Sequence, residues 1–237
     1  MPSPSDTLRE PALDHLISFL QAMVIVPLTL LPIINPLSGA PVFLTTAGRD
    51  AHVIKRLARQ VAINCWYVLV LSMLVGTYML ELFGISLPIV RIGGGLLVAA
   101  TGWRMLNSQE SARDEVRQAV AENQPPVMSE VEIVKASFFP ITFPLTTGPG
   151  TIAAAIALGA KLPSQPKLYV VGAFVAVLGA GITALTIYLV YRHSGALMKR
   201  LGDIGTLVMM RLVAFILLCI GIEILWAGWV ELNQLPR

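Results

Sequence analysis

The chain has 237 residues, 55% hydrophobic and only 13% charged, with a formal net charge of +3. Several stretches of about 20 or more residues hold no Asp, Glu, Lys or Arg, which excludes an ordinary soluble domain. No basic stripe with interleaved aromatics appears, so nucleic acid is not an expected partner.

Residues 1–15 carry one Arg, three acids and three prolines, without the basic-then-apolar pattern of a removable signal peptide, and read as a polar tail. Six apolar segments follow. Residues 16–48, 61–80, 136–160 and 168–191 are free of charge, and each is long enough to cross a core of about 30 Å at 1.5 Å per helical residue. Residues 82–103 and 204–230 are equally apolar but hold Arg91 in the first and Arg211 and Glu223 in the second. Apolar residues run continuously and Gly and Ala recur within the segments, so the predicted fold class is all-α, a polytopic membrane helical bundle and not a barrel. Between the third and fourth segments, residues 107–132 mix acids and bases before Pro125 and Pro126 and read as a polar connector. Cys65 and Cys219 both fall inside spans, lack a CxxC spacing and read as small packing residues.

If all six segments cross, the loops after the first, third and fifth hold eleven basic residues against four on the other face. The positive-inside rule then places both termini, including the residue 1–15 tail, in the periplasm of a bacterial inner membrane. The first and fourth segments contain prolines and could fold back without crossing; the split would then be twelve to three, so charge alone does not exclude that arrangement.

The first segment contains Asn35-Pro36-Leu37-Ser38-Gly39-Ala40-Pro41 and the fourth Phe143-Pro144-Leu145-Thr146-Thr147-Gly148-Pro149; both read Pro-Leu-hydroxyl-x-x-Pro. Arg91-Ile92 in the third segment is matched by Arg211-Leu212 in the sixth. Two landmarks recurring in order, about 110 to 120 residues apart, predict two three-helix repeats over residues 16–106 and 133–230. A unit with an odd number of crossings emerges facing the opposite way, so the copies are expected to be inverted.

Proline removes a backbone donor and clashes with the carbonyl four residues earlier, so these motifs predict broken first helices in each repeat. In hydrocarbon an orphaned backbone group is tolerated only toward protein or a wet cavity, which makes the breaks a candidate substrate site. The expected site residues are Asn35, Pro36, Ser38, Gly39, Pro41, Pro144, Thr146, Thr147, Gly148, Pro149 and Thr151: hydroxyls and an amide supply neutral donors and acceptors, and glycines admit a ligand to the backbone. Set against this is a packing kink whose hydroxyls bond back to the freed carbonyls. Arg91, Arg211 and Glu223 are candidate gate or pathway residues, with a structural anchor as the competing role for the arginines and pairing to Arg91 as another role for Glu223. All three histidines lie at or outside span ends and no phosphate loop is present, so no metal, cofactor or enzymatic activity is expected.

Asn35-Pro36-Leu37, Phe83-Gly84-Ile85-Ser86 with Pro88, Arg91-Ile92, Gly94-Gly95, Pro144, Gly148-Pro149-Gly150-Thr151-Ile152, Ser194-Gly195-Ala196 and Arg211-Leu212 together resemble the MarC family of bacterial inner-membrane proteins over nearly the whole chain. The resemblance implies six spans and a distant relationship to amino-acid exporters of the LysE type. The chain departs from the family pattern at Ala214, where Gly is usual, and at Glu223, where an amide is common. The expectation is an inner-membrane exporter or exchanger of a small solute, small neutral amino acids being favoured, working by alternating access at the paired breaks. A membrane scaffold or regulatory protein that carries nothing is the alternative. The lipid bilayer and a small-molecule solute are the expected partners, and the sequence does not fix an oligomeric state.

Overall fold

A computed structural model describes residues 23–48, 50–107, 129–162 and 165–233. The expectations for the N-terminal tail and for nearly all of the 107–132 connector lie outside these residues. Among the described residues every regular element is helical. Four helices are long and apolar enough to cross a membrane, or six spans if each of two bent pairs counts as one.

The first bent pair is α1 (Met23–Ile34) and α2 (Pro36–Ala47), which meet at 58°. Asn35 forms the corner with φ 45°, a left-handed conformation that Asn tolerates better than most residues. Pro36 opens α2, where its missing N–H would have had no partner in any case. Pro41 lies inside α2 without ending it, so of the two prolines in this motif only Pro36 marks a break.

Helix α3 (Ala51–Leu82) starts on Asp50, whose carboxylate accepts from the His52 N–H at 2.8 Å. It stops at Gly84, whose φ of 65° lets the Gly84 and Ile85 amides fold back onto the Glu81 and Leu80 carbonyls. Helix α4 (Leu87–Asn107) begins after this turn. The third span therefore starts at Leu87 and not at Leu82, and Arg91 sits four residues into it instead of nine.

The second bent pair is more irregular. Helix α5 (Glu130–Ala136) is opened by a capping box in which Ser129 and Glu132 satisfy each other's backbone N–H. The chain continues through residues Ser137–Thr146, where Phe139 and Phe143 are extended, as the residue before a proline tends to be. Both Phe-Pro bonds, to Pro140 and Pro144, are cis. The turns are wide, closed by bonds to the carbonyl five residues back such as Thr147 N–H to Thr142 O at 2.7 Å. Gly148 then caps α6 (Pro149–Gly159), bent by 73° from the preceding segment. Helix α7 (Pro166–Arg192) and helix α8 (Ser194–Asn233) complete the chain, the latter interrupted at Gly202 with φ 64°.

The long helices α3 and α7 cross near their middles, where the Trp66 indole N–H donates to the Val177 carbonyl at 3.2 Å. The fourth segment lies along α3 in the same direction. Glu130 pairs with Arg56 at 2.8 Å, Asn64 Nδ2 donates to Ser137 Oγ at 3.2 Å, and Ile156 and Gly159 rest on Gly76 and Met73. In the same way α1 and α2 follow α7, Val26 against Gly179 and Gly39 against Tyr191. Helices α4 and α8 pack antiparallel along a seam of small residues, Gly95 on Gly221, Gly102 on Ala214, and Gly228 on Pro88 and Arg91. Gly95 and Gly102, like Ala214, Gly221 and Gly228, are spaced by seven, so each comes to the same face and the backbones touch. Ala214 is fully buried in this seam, and the close contact persists there because Gly102 opposite it has no side chain.

The shared core of Leu30, Phe43, Leu57, Val61, Leu69, Met73, Ile141, Ala180 and Ile187 joins the two bent segments to α3 and α7. Large apolar residues such as Leu71, Leu96, Phe174, Leu212 and Phe215 stay exposed, as expected of a bundle whose outer surface meets lipid.

Candidate functional site

Buried polar side chains are concentrated on the two bent segments and at the α7–α8 junction. Asn35, Ser137, Thr142, Thr146, Thr147, Thr151 and Ser194 are all buried. Their density follows from the breaks: extended residues and prolines free carbonyls that a straight helix would have paired, and short hydroxyl side chains are placed to recover them.

The bonds show this. Ser38 Oγ donates to Asn35 O at 2.9 Å. Thr142 Oγ1 donates to Ser137 O at 2.7 Å, Thr146 Oγ1 to Ile141 O at 2.7 Å and Thr147 Oγ1 to Thr142 O at 2.9 Å, each reaching five residues back. Every one of these hydroxyl protons is spent on the kink itself. What remains for a ligand is the oxygen lone pairs.

Asn35 differs. Its Oδ1 accepts from the Ser38 N–H at 3.4 Å, but its Nδ2, on a residue only 6% exposed, has no hydrogen-bond partner among the described residues. A buried amide donor left unpaired costs on the order of 1–3 kcal/mol unless something accepts from it. It lies at the N-terminal end of the twelve-residue α2, where backbone N–H groups already favour an acceptor.

The two motifs converge on one residue, Tyr191. Its ring stacks on Phe43 with centroids 4.7 Å apart and planes 7° from parallel. Its hydroxyl lies 2.8 Å from Thr146 Oγ1 and so close to Gly39 that a Cβ there would stand only 2.6 Å from it. Thr146 has given its proton to Ile141 O, so Tyr191 is the donor to Thr146. The Cys65 thiol abuts Thr142 in the same cluster.

The remaining expected residues are placed as follows. Thr147 and Gly39 are buried beside these contacts, Ser38 and Gly148 are half-buried, and Pro144 and Pro149 are exposed. Pro36 is buried and Pro41 half-buried on α2. Thr151 is buried near Gly150, which packs on Val98 and Gly94 of α4.

Arg91 turns toward α8 and forms an ion pair with Glu231. Its acidic partner is thus Glu231, near the end of that helix, and not Glu223. Arg211 and Glu223 are exposed and not drawn into the cluster, and among the described residues neither has an ion-pair partner.

Tyr191, Thr142 and Cys65 were not anticipated. For Thr142 a signal was present, since Phe139-Pro140-Ile141-Thr142 is repeated at once as Phe143-Pro144-Leu145-Thr146 and each tetrad makes one wide turn. Tyr191 offered none: at a span end beside Arg192 it reads as an interfacial aromatic.

The family model described as "MarC family integral membrane protein" matches residues 20–232. Proteins described as "UPF0056 inner membrane protein MarC" from Escherichia coli O1:K1 and from Escherichia coli strain K12 are each 30% identical over 205 residues, covering 86% of this chain and 91% of theirs. One of the same description from Shigella flexneri matches to the same extent. No solved structure matches significantly. With the family matched from the first bent segment to the end of α8, the chain is an integral membrane protein that belongs to the MarC family.

Proposed function

We propose that this protein is an inner-membrane carrier, and not an enzyme, which moves a small solute between the two faces of the bilayer through the paired breaks. The observation that carries the reading is the unpaired Asn35 Nδ2, buried at the corner of a broken helix whose next turn meets the second break through Tyr191. A scaffold has no need of a desolvated donor there. A carrier does, because the solute's acceptor completes it.

The inventory of groups favours a net-neutral solute with both an acceptor and donors. Asn35 supplies an amide donor, while Ser38, Thr147 and Tyr191 present oxygen lone pairs, and no charged side chain joins the cluster among the described residues. A small neutral amino acid fits, its carboxylate on Asn35 and the N-terminus of α2 and its ammonium toward the hydroxyl oxygens. Pro36, Gly39 and Pro41 on one side, and Pro144, Thr146, Gly148, Pro149 and Thr151 on the other, shape the breaks.

Alternating access by two inverted repeats is supported by the pattern of contacts. Corresponding helices pair, α3 with α7 and α4 with α8, and each bent segment follows the long helix of the other half. The fourth segment accompanies α3 from Arg56 to beyond Met73, a rise of about 25 Å at 1.5 Å per residue, which favours a crossing over a re-entrant path. With the loops after the first and third segments on one face, the richness of that face in basic residues supports a cytoplasmic assignment for it and a periplasmic one for both termini. Arg91 then belongs near the periplasmic surface with Glu231 as a closing contact between α4 and α8, and Arg211 and Glu223 lie on the outward side of α8.

The test is counterflow of radiolabelled neutral amino acids into proteoliposomes, against protein-free vesicles. Accumulation that depends on the protein and on preloaded solute is expected. No flux of any amino acid, amine or sugar would leave the scaffold reading in its place.

A further inference from the structure

We propose that Tyr191 is the gate of this pathway on the cytoplasmic side, a reading that rests on the transport function above. Asn35 caps α2, and Gly39 and Phe43 follow on α2 four and eight residues later, each one turn further toward the end that leads into the basic first loop. The Tyr191 ring stacks on Phe43 and its hydroxyl covers Gly39, so the phenol lies over α2 between Asn35 and that end. A solute arriving from the basic face reaches the Asn35 amide only after the phenol moves.

Tyr191 stands in the last turn of α7, next to Arg192, where an aromatic residue ordinarily rests half in the lipid headgroups. Here it is fully buried. Helical side chains lean back toward the N-terminus, which carries this ring from the end of α7 inward to the breaks.

The closure is held by a bond that can be exchanged. Tyr191 belongs to the second half of the chain, and its hydroxyl donates to Thr146 of the same half while it fills the hollow at Gly39 of the first. Rotation of the Tyr191 side chain breaks the bond to Thr146, withdraws the ring from Gly39 and Phe43 and frees its hydroxyl for the solute. The opposite end of the fourth segment rests on backbone instead, Gly159 lying on the Met73 carbonyl.

Cys65 reports on the gate without any solute. It is fully buried among these residues, close to Thr142 and Tyr191, while the other cysteine, Cys219, is exposed. In a Cys219→Ser background, Cys65 is titrated with a small charged methanethiosulfonate applied to inside-out membrane vesicles. Slow labelling is expected with Tyr191 in place. Tyr191→Phe keeps the ring and removes its bond to Thr146, and the labelling rate should rise roughly fivefold, the population change set by one ordinary hydrogen bond. Thr146→Val removes the same bond from the other side and should act alike, with the double variant no faster than the more labile single one. Labelling as slow in Tyr191→Phe and Thr146→Val as in the parent, with unchanged helical circular dichroism, overturns the gate. Because thiol chemistry needs no transported solute, that result is distinct from a failure of the flux assay, which bears on the transport reading alone.

Discussion

Replacing Asn35 by glycine separates a ligand site from a packing kink, because the structure assigns the two roles to different atoms of one side chain. The corner needs φ 45°, which glycine adopts without strain and alanine does not. The cap it provides is a long contact, Oδ1 to Ser38 N at 3.4 Å, and Asn to Gly at an N-cap costs only a few tenths of a kcal/mol. The Nδ2 makes no bond to any described residue, so its removal relieves a desolvation cost of about 1–3 kcal/mol. Asn35→Gly should therefore melt in detergent at or above the parent temperature, whereas Asn35→Ala, forced into the left-handed region, should lose about 1–2 kcal/mol. If Nδ2 holds a carboxylate, the lost charged hydrogen bond is worth about 1.5–3 kcal/mol, and apparent affinity in counterflow should fall roughly ten- to a hundredfold. Both quantities are measured on the same purified protein. A glycine variant that melts as early as the alanine variant while its surviving fraction keeps the parent affinity would refute the site and leave Asn35 as a corner residue only.

Three further outcomes test the framework around the site. A Cβ on Gly159 would lie 1.9 Å from the Met73 carbonyl oxygen, whereas one on Gly93 meets nothing within 4 Å, so Gly159→Ala should lower stability by about 1–3 kcal/mol or more in thermal melts and Gly93→Ala should not. Arg91 pairs with Glu231, so Arg91→Glu should impair stability or flux and the added change Glu231→Arg should restore much of it; rescue by substitutions at Glu223 instead would contradict the observed pairing. Reporter fusions at either terminus should be active only with a periplasmic reporter, and activity of a cytoplasmic reporter would overturn the six-crossing inverted arrangement.

Much of the architecture was legible from residue order because it depends on local properties. A run without charge must be long enough to cross hydrocarbon and must close its own backbone bonds, so the positions of the apolar segments and their helical character followed directly. Pro36 and Pro144 announced disrupted helices because a missing N–H is a property of the residue wherever it stands. Segment ends were less secure: Leu82 and Leu87 are both apolar, and only the left-handed turn at Gly84 shows which of them belongs to which helix.

The tertiary structure decided everything that joins residues distant in the chain. Pro41 carries the same chemistry as Pro36 yet remains inside α2, because α2 is already supported on both sides of it by Ala40 and Phe43 in the core. Arg91 found Glu231 and not Glu223 because the small-residue seam sets α4 and α8 in a fixed antiparallel register, Gly95 on Gly221 and Gly228 on Arg91, which brings the end of α8 to that guanidinium. Tyr191 could not be foreseen as the meeting point of Gly39, Phe43 and Thr146. Its inward turn depends on the space left by a missing side chain some 150 residues earlier and on an acceptor whose own proton is held by Ile141, and such conditions exist only once the two bent segments have been packed against α7.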